Sequence, residues 1–324
     1  MPVTSVTKDP ENLTMNITAD FAAPLPRVWD AYLDARKIEQ FWGPPGYPAT
    51  FLRHDGIPGG VSRYYMTGPE GEQYHGRWDW SEVVEHKFFE VIDSFADAEG
   101  TLNPDLPSTR MVFSFDPAGD GSRITVTAHF ASVEALEQLL AMGMEEGTRQ
   151  AMGQIDAILA DLRSFSRGEG TTVQLIGESQ ARVSRVVRGS REAVWNAFED
   201  PALMKQWSLG PDGWSMPVCD IATEIGQDYR FEWEREDGSE RFGFTGTLLE
   251  RNHPAYMVTT EKMIGTEGPE VRNELTLTQL DEGTLISYLG TYPSAEVREQ
   301  ILATGMADGM EIGYQRLEKL LQEA

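Results

Sequence analysis

A single cysteine, Cys219, stands in 324 residues, so no disulfide can form within the chain and a cysteine-based metal centre is not expected. Basic residues are scarce too: 27 Lys and Arg face 52 Asp and Glu, a formal charge of -25. A surface that acidic repels phosphate backbones and anionic headgroups, which sets nucleic acid aside as a partner. No uninterrupted apolar run approaches the ~20 residues of a membrane helix, and the opening MPVTSVTKDPENLTMNI has no basic segment leading into an apolar one. These absences predict a cytoplasmic protein that does not enter a membrane. Neither a His-Glu zinc helix, a Gly-x-Ser-x-Gly elbow, a phosphate loop nor a dinucleotide fingerprint is found. No metal, no cofactor and no ready catalytic set is therefore expected.

What is present is an internal repeat, the pattern to seek first in a chain of this size. VWDAYLDARKIEQFWGP (28 to 44) returns as VWNAFEDPALMKQWSLGP (194 to 211), with Trp29 matching Trp195 and Gln40 matching Gln206. The match continues through Gly59 and Gly226, Gly71 and Gly238, and His86 and His253. Beyond a Gly- and Pro-containing loop of unequal length, DGSRI (120 to 124) meets EGTLI (282 to 286) and GMEEG (143 to 147) meets GMADG (305 to 309). Length change concentrated in one polar loop is what a surface connection tolerates. Two domains follow, spanning 11–165 and 179–324, with 166–178 as linker; within the linker region VQLI could add a short strand.

Each copy reads as strand, helix pair, several strands, long helix. LTMNITADF alternates and is closed by AAPLP, after which Pro26 suits the first turn of a helix carrying Val28, Trp29, Tyr32 and Leu33 at helical spacing. TFLRHD, GGVSRYYMTG, EQYHGRWDWSEVV, KFFEVIDSF, RMVFSFDP and SRITVTAHF are β-like and separated by turn residues, favouring an antiparallel meander. At the end Met144, Thr148, Met152, Ile155, Leu159 and Leu162 recur every three or four residues, as do Met306, Met310, Leu317 and Leu321. The fold class is therefore α+β, each copy an antiparallel sheet of about six strands with helices on one face. DYRFEWERE alternates most cleanly, placing Tyr229, Phe231 and Trp233 inward, which selects Ser62, Tyr64 and Met66 in the first copy. For the next strand, the offset pairing Phe244 with Tyr74, Gly246 with Gly76 and Leu248 with Trp78 matches residue chemistry best.

The segments PRVWDA, QFWGPPG, HGRWDWSEVVEHKFF, DGSRITV and GMEEGTRQAMGQI, and their second-copy counterparts, resemble the motifs of one family in order. That family is the branch of the START-like, birch-pollen-allergen-like (SRPBCC) superfamily named for the activator of heat-shock-protein-90 ATPase. The resemblance implies two tandem helix-grip domains, each a curved sheet wrapped around its long C-terminal helix. It also implies a cavity between sheet and helix for a small apolar or aromatic molecule. Met144 and Met306 stand where the family usually has Trp, and Ser208 replaces the aromatic that Trp42 supplies in the first copy. A chaperone association is suggested by the family's name alone.

Under that resemblance the cavity lining comprises Trp42, Tyr64, Met66, Tyr74, Trp78, Phe113 and Met144 in the first copy, and Phe231, Trp233, Phe244 and Met306 in the second. The plain alternative is that these aromatic and Met side chains are core, as large apolar residues usually are. His75 with Tyr74 or Tyr64 is the best acid–base grouping, the one hint of a cyclase, aromatase or hydrolase. His86 and His253 fall in turns. Cys219 has no activating neighbour and reads as an inert thiol. Ligand binding, catalysis and protein interaction are the three functions left open, with ligand binding first.

Overall fold

The computed structural model describes residues 2–160, 170–210 and 212–323. The chain divides into two compact units, Met1–Ser166 and Arg167–Ala324, and each is an α+β domain built on an eight-stranded antiparallel sheet. Residues 161–169, which include the expected helix end at Leu162 and part of the expected linker, lie outside the described residues.

In the first domain the strands are β1 (Val3–Asp9), β2 (Thr14–Phe21), β3 (Ala49–His54), β4 (Val61–Thr67), β5 (Gln73–Val84), β6 (Phe88–Phe95), β7 (Thr109–Ala118) and β8 (Gly121–His129). They lie in the order β1-β2-β8-β7-β6-β5-β4-β3. The helices are α1 (Leu25–Leu33), α2 (Ala35–Ile38), α3 (Val133–Ala141) and α4 (Met144–Ala160). The second domain repeats the plan. β9 (Thr172–Ile176) and β10 (Gln180–Val187) precede α5 (Arg191–Glu199) and α6 (Pro201–Trp207). Then come β11 (Trp214–Asp220), β12 (Asp228–Arg235), β13 (Arg241–Asn252), β14 (Tyr256–Met263), β15 (Val271–Leu280), β16 (Gly283–Thr291), α7 (Ala295–Leu302) and α8 (Met306–Glu323).

The sheets hold eight strands rather than about six: the strand-like segments of each copy, LTMNITADF and the six that follow the helix pair in the first, already amount to seven, and each sheet gains an edge strand besides. β1 lies ahead of the expected domain start at 11, and β9 lies inside the expected linker 166–178. Both are edge strands with mostly exposed or half-exposed side chains, so neither carries the alternation that marks a strand with one buried face. The short helices α3 and α7 also add to the expected plan. Each is capped by a serine hydroxyl, Ser132 accepting from the Ala135 N–H and Ser294 from the Val297 N–H.

The inner faces follow the alternation. Phe113, Phe115, Ile124 and Val126 are buried in the first domain, and Leu275, Leu277 and Ile286 in the second. Trp29 and Trp195 are buried anchors. Trp29 meets Phe115 edge-on at 5.0 Å, and Trp195 belongs to the second core with Leu277, Ile286 and Leu317. His86 and His253 meet these tryptophans edge-on at 5.8 and 5.4 Å, so the repeated turn histidine is a packing device. The hairpin offset differs from the one residue chemistry favoured. A bulge between Trp80 and Glu82 recurs between Leu248 and Glu250, so this hairpin repeats at 248 − 80 = 168. Phe244 then matches Gly76, and Gly246 matches Trp78.

His54 is a satisfied core histidine. Its Nε2 lies 2.8 Å from the Tyr32 carbonyl, which can only accept, so Nε2 carries the proton and Nδ1 accepts from the Ser62 hydroxyl at 2.9 Å. Ser62 Oγ also accepts from Trp80 Nε1 at 2.8 Å. Removing this hub with Ser62→Ala takes away the acceptor of the buried Trp80 N–H and the hydroxyl bond to His54 Nδ1. We expect about 1–3 kcal/mol of destabilisation, read as a lowered urea midpoint for the first domain.

Candidate functional site

The candidate site is a partly enclosed cavity of about 310 Å³ in the first domain. One wall is a face of α4, where Met144, Gly147, Thr148 and Ala151 recur at helical spacing. Opposite stand Tyr64 and Met66 of β4, with Trp42 and Gly43 from the α2 exit closing one side. Of the sequence candidates, Trp42, Tyr64, Met66, Tyr74, His75 and Met144 border this space. Trp78 and Phe113 lie beneath it as core: Trp78 is fully buried and meets Trp42 edge-on at 4.6 Å, and Phe113 stacks on Phe89 at 4.6 Å. Tyr74 is an exposed rim residue beside Tyr47.

The polar group at the floor is Asp93, which sequence reasoning missed. It lies on β6 in the run FFEVIDSF, on the face that also carries Phe89 and Val91. An acid at an inward position of an apolar alternation was the available signal. Tyr64 donates its hydroxyl to Asp93 Oδ1 at 3.2 Å. Gly76 makes this reach feasible: it faces Tyr64 across the β4–β5 ladder, and a Cβ there would sit 2.3 Å from Tyr64 Cζ. The indole N–H groups of Trp42 and Trp78 lie beside this pair, yet neither completes a hydrogen bond among the described residues.

Desolvation pushes the Asp93 carboxyl up to about 7, opposed by donors from Tyr64, Trp78 and the Ser94 backbone. Burial and the neighbouring Asp93 hold the Tyr64 phenol well above its ordinary value. His75 does not join them. Strand alternation turns its side chain to the face opposite Gly76 and Trp78, where its ring lies 5.6 Å from Tyr65; partial burial lowers its pKa. The grouping expected of His75 with Tyr74 or Tyr64 is not what Tyr64 makes: its hydroxyl is engaged by Asp93. Cys219 is buried, and burial lifts its thiol to about 11, which suits an inert side chain.

The family model described as Activator of Hsp90 ATPase homolog 1-like protein matches residues 22–160 and again 188–322. The chain belongs to that family. Among solved structures, the Mycobacterium smegmatis protein Ms6760 is 47% identical over 49% of this chain and 97% of its own, with a TM-score of 0.47. A protein from Arthrobacter aurescens is 40% identical over 49% of this chain and 92% of its own, with a TM-score of 0.48. DynU16, from the dynemicin biosynthetic locus, is 13% identical over 97% of this chain and all of its own, with a TM-score of 0.35. No match is found among curated proteins. No described helix is long and apolar enough to cross a membrane.

The two copies of this family's domain differ at the positions that shape the cavity. Where Gly76 faces Tyr64, Phe244 faces Phe231. At the position of Met66 stands Trp233, whose Nε1 donates to the Ser208 carbonyl at 2.6 Å. Trp233 thereby compensates for the aromatic that Ser208 lacks. Its ring stacks on Phe242 at 5.3 Å and meets Phe244 edge-on at 6.0 Å, while Phe231 and Trp233 pack on the second core. Met306 opens α8 as Met144 opens α4. Asp93 has a counterpart at 93 + 168 = 261: Glu261, which accepts from Tyr229 at 3.4 Å and is likewise raised by desolvation.

For Asp93 the folded value exceeds the unfolded one of 3.8, so the native state holds the proton more tightly. Its favourable contribution is complete below about pH 4 and is lost as pH rises to about 7. Asp93→Asn, which keeps an acceptor for Tyr64, is expected to gain stability relative to the parent chain progressively from pH 4 to 7 and then level off. Urea denaturation across pH tests this, and carboxyl-carbon NMR should find the Asp93 midpoint near 7; a midpoint near 4 would contradict it.

Proposed function

We propose that the first domain binds a small, mainly apolar molecule in the cavity between its sheet and α4. The observation that carries this reading is the lining itself: aromatic and sulfur side chains around about 310 Å³ with one polar pair, Tyr64 and Asp93, at the floor. Small-ligand sites ordinarily combine a concave apolar wall with a few placed polar groups. The helix-grip arrangement implied by the family resemblance would put that cavity between sheet and long helix in each domain. The filled positions Phe244 and Trp233 favour the first domain as the binding copy.

A second reading is catalytic. Its support is specific: a carboxyl brought near neutrality lies within hydrogen-bond reach of a phenol at a cavity floor, which suits proton transfer near pH 7. It would replace the His-based chemistry of a cyclase, aromatase or hydrolase with Asp93 and Tyr64.

Gly147 offers a direct test of binding. It borders the cavity, and a Cβ built on it meets no atom within 4 Å, so a larger side chain has room to enter. Gly147→Leu should gain up to about 1 kcal/mol in helix propensity while weakening uptake of the neutral fluorophore N-phenyl-1-naphthylamine at least tenfold. Equal uptake by parent and variant would contradict the assignment of the site.

A further inference from the structure

Resting on the ligand-binding reading above, we propose that the first-domain cavity selects an organic cation, an apolar or aromatic molecule whose protonated amine pairs with Asp93 against the faces of Trp42 and Tyr64.

Among the described residues, neither a Lys nor an Arg borders the cavity, and Asp93 is the one carboxyl that does. The groups that favour its charged form are donors: the Tyr64 hydroxyl, which bonds it at 3.2 Å, the Trp78 indole beside it and the Ser94 backbone N–H. Such a setting is arranged for a carboxylate, yet it supplies no positive charge. A carboxylate taken from water without a counter-charge is costly, and an ammonium group on the ligand would provide the missing partner.

The surroundings on each packed element agree. From β4 the titratable group facing Asp93 is Tyr64. On β5, Gly76 and Trp78 share its face, while the opposite face carries Arg77 and Asp79, paired with each other, and His75, whose ring lies beside Tyr65. Across β7, Thr109 is the direct partner, and the adjacent Arg110 is engaged by Glu90. The α4 residues bordering the cavity are uncharged, and Glu145 is held by Lys8 and Arg149. No protein cation is therefore placed to neutralise Asp93 from these elements. Aromatic faces flanking a carboxylate attract cations through their quadrupoles. Across the whole molecule, a formal charge of -25 raises the local concentration of cations.

Binding and protonation compete at one oxygen pair, so the class of ligand has a pH signature. Burial pushes the Asp93 carboxyl up to about 7. An amine that needs the carboxylate should therefore lose about tenfold in affinity from pH 8 to pH 6, whereas a neutral ligand accepting a proton from the carboxyl should gain.

The test titrates the full chain with 1-naphthylmethylamine and its neutral analogue 1-naphthylmethanol, following Trp42 and Tyr64 signals by NMR at pH 8 and pH 6. We expect the amine to bind at least tenfold more tightly than the alcohol at pH 8, to lose about tenfold at pH 6, and to bind D93N no better than the alcohol does. Alcohol binding as tight as amine binding at pH 8, or an amine preference that survives in D93N, would overturn the cation inference and leave the ligand-binding reading standing. Perturbation of these signals by neither compound would overturn both. Should D93N not fold, the pH series on the unmodified chain decides the matter alone.

Discussion

The passage of the Tyr64 side chain across Gly76 to Asp93 is the constraint on which the site depends. A glycine on β5 removes the Cβ that would collide with the ring, the ring reaches across the ladder, and its hydroxyl meets a carboxyl two strands away. That placement lays an aromatic wall along one side of the cavity and holds an acid at its floor. Burial then does the rest: the carboxyl is brought near neutrality not by a like charge but by desolvation, the cause that dominates when an acid lies among apolar groups.

Duplication makes the consequences of each residue visible, because the same scaffold appears with and without them. In the second domain Phe244 stands where Gly76 would be, Trp233 where Met66 would be, and the polar pair shifts to Tyr229 and Glu261 across Gly246. The scaffold is shared down to the β-bulge and the turn histidine that packs on the α1 or α5 tryptophan. What differs is side-chain volume over the sheet. Two copies of one fold have thus kept a buried acid at one position while surrounding it differently, which is how function diverges on a retained framework.

Much of the fold was legible from periodicity. The alternation of Phe113 and Phe115, or of Leu275 and Leu277, marked the inner faces, and the repeat itself marked the two domains. The edge strands β1 and β9 were less legible because they bury little of either face, so hydrophobic patterning has nothing to record. The offset between the copies at β5 and β13 differs from the one residue chemistry favours, which matches Phe244 with Tyr74, because the position is set by the backbone bulge that Trp80 and Leu248 share. Of the candidate site, the aromatic and Met lining was visible in the sequence. Asp93 was not singled out, although its inward position among Phe89 and Val91 was the signal. His75 drew attention as a titratable residue, but the strand turns it away from Tyr64.

Ligand binding in the first domain requires an accessible apolar cavity beside Asp93. Methyl NMR of the methionines under xenon pressure tests that most directly, since apolar cavities take up xenon. Met66, Met111, Met142 and Met144 border the cavity, whereas Met15 and Met152 are buried in the core; saturable shifts confined to the first four, with the last two unmoved, are the predicted result. No shift at the cavity methionines, or a uniform response across both sets, would contradict it.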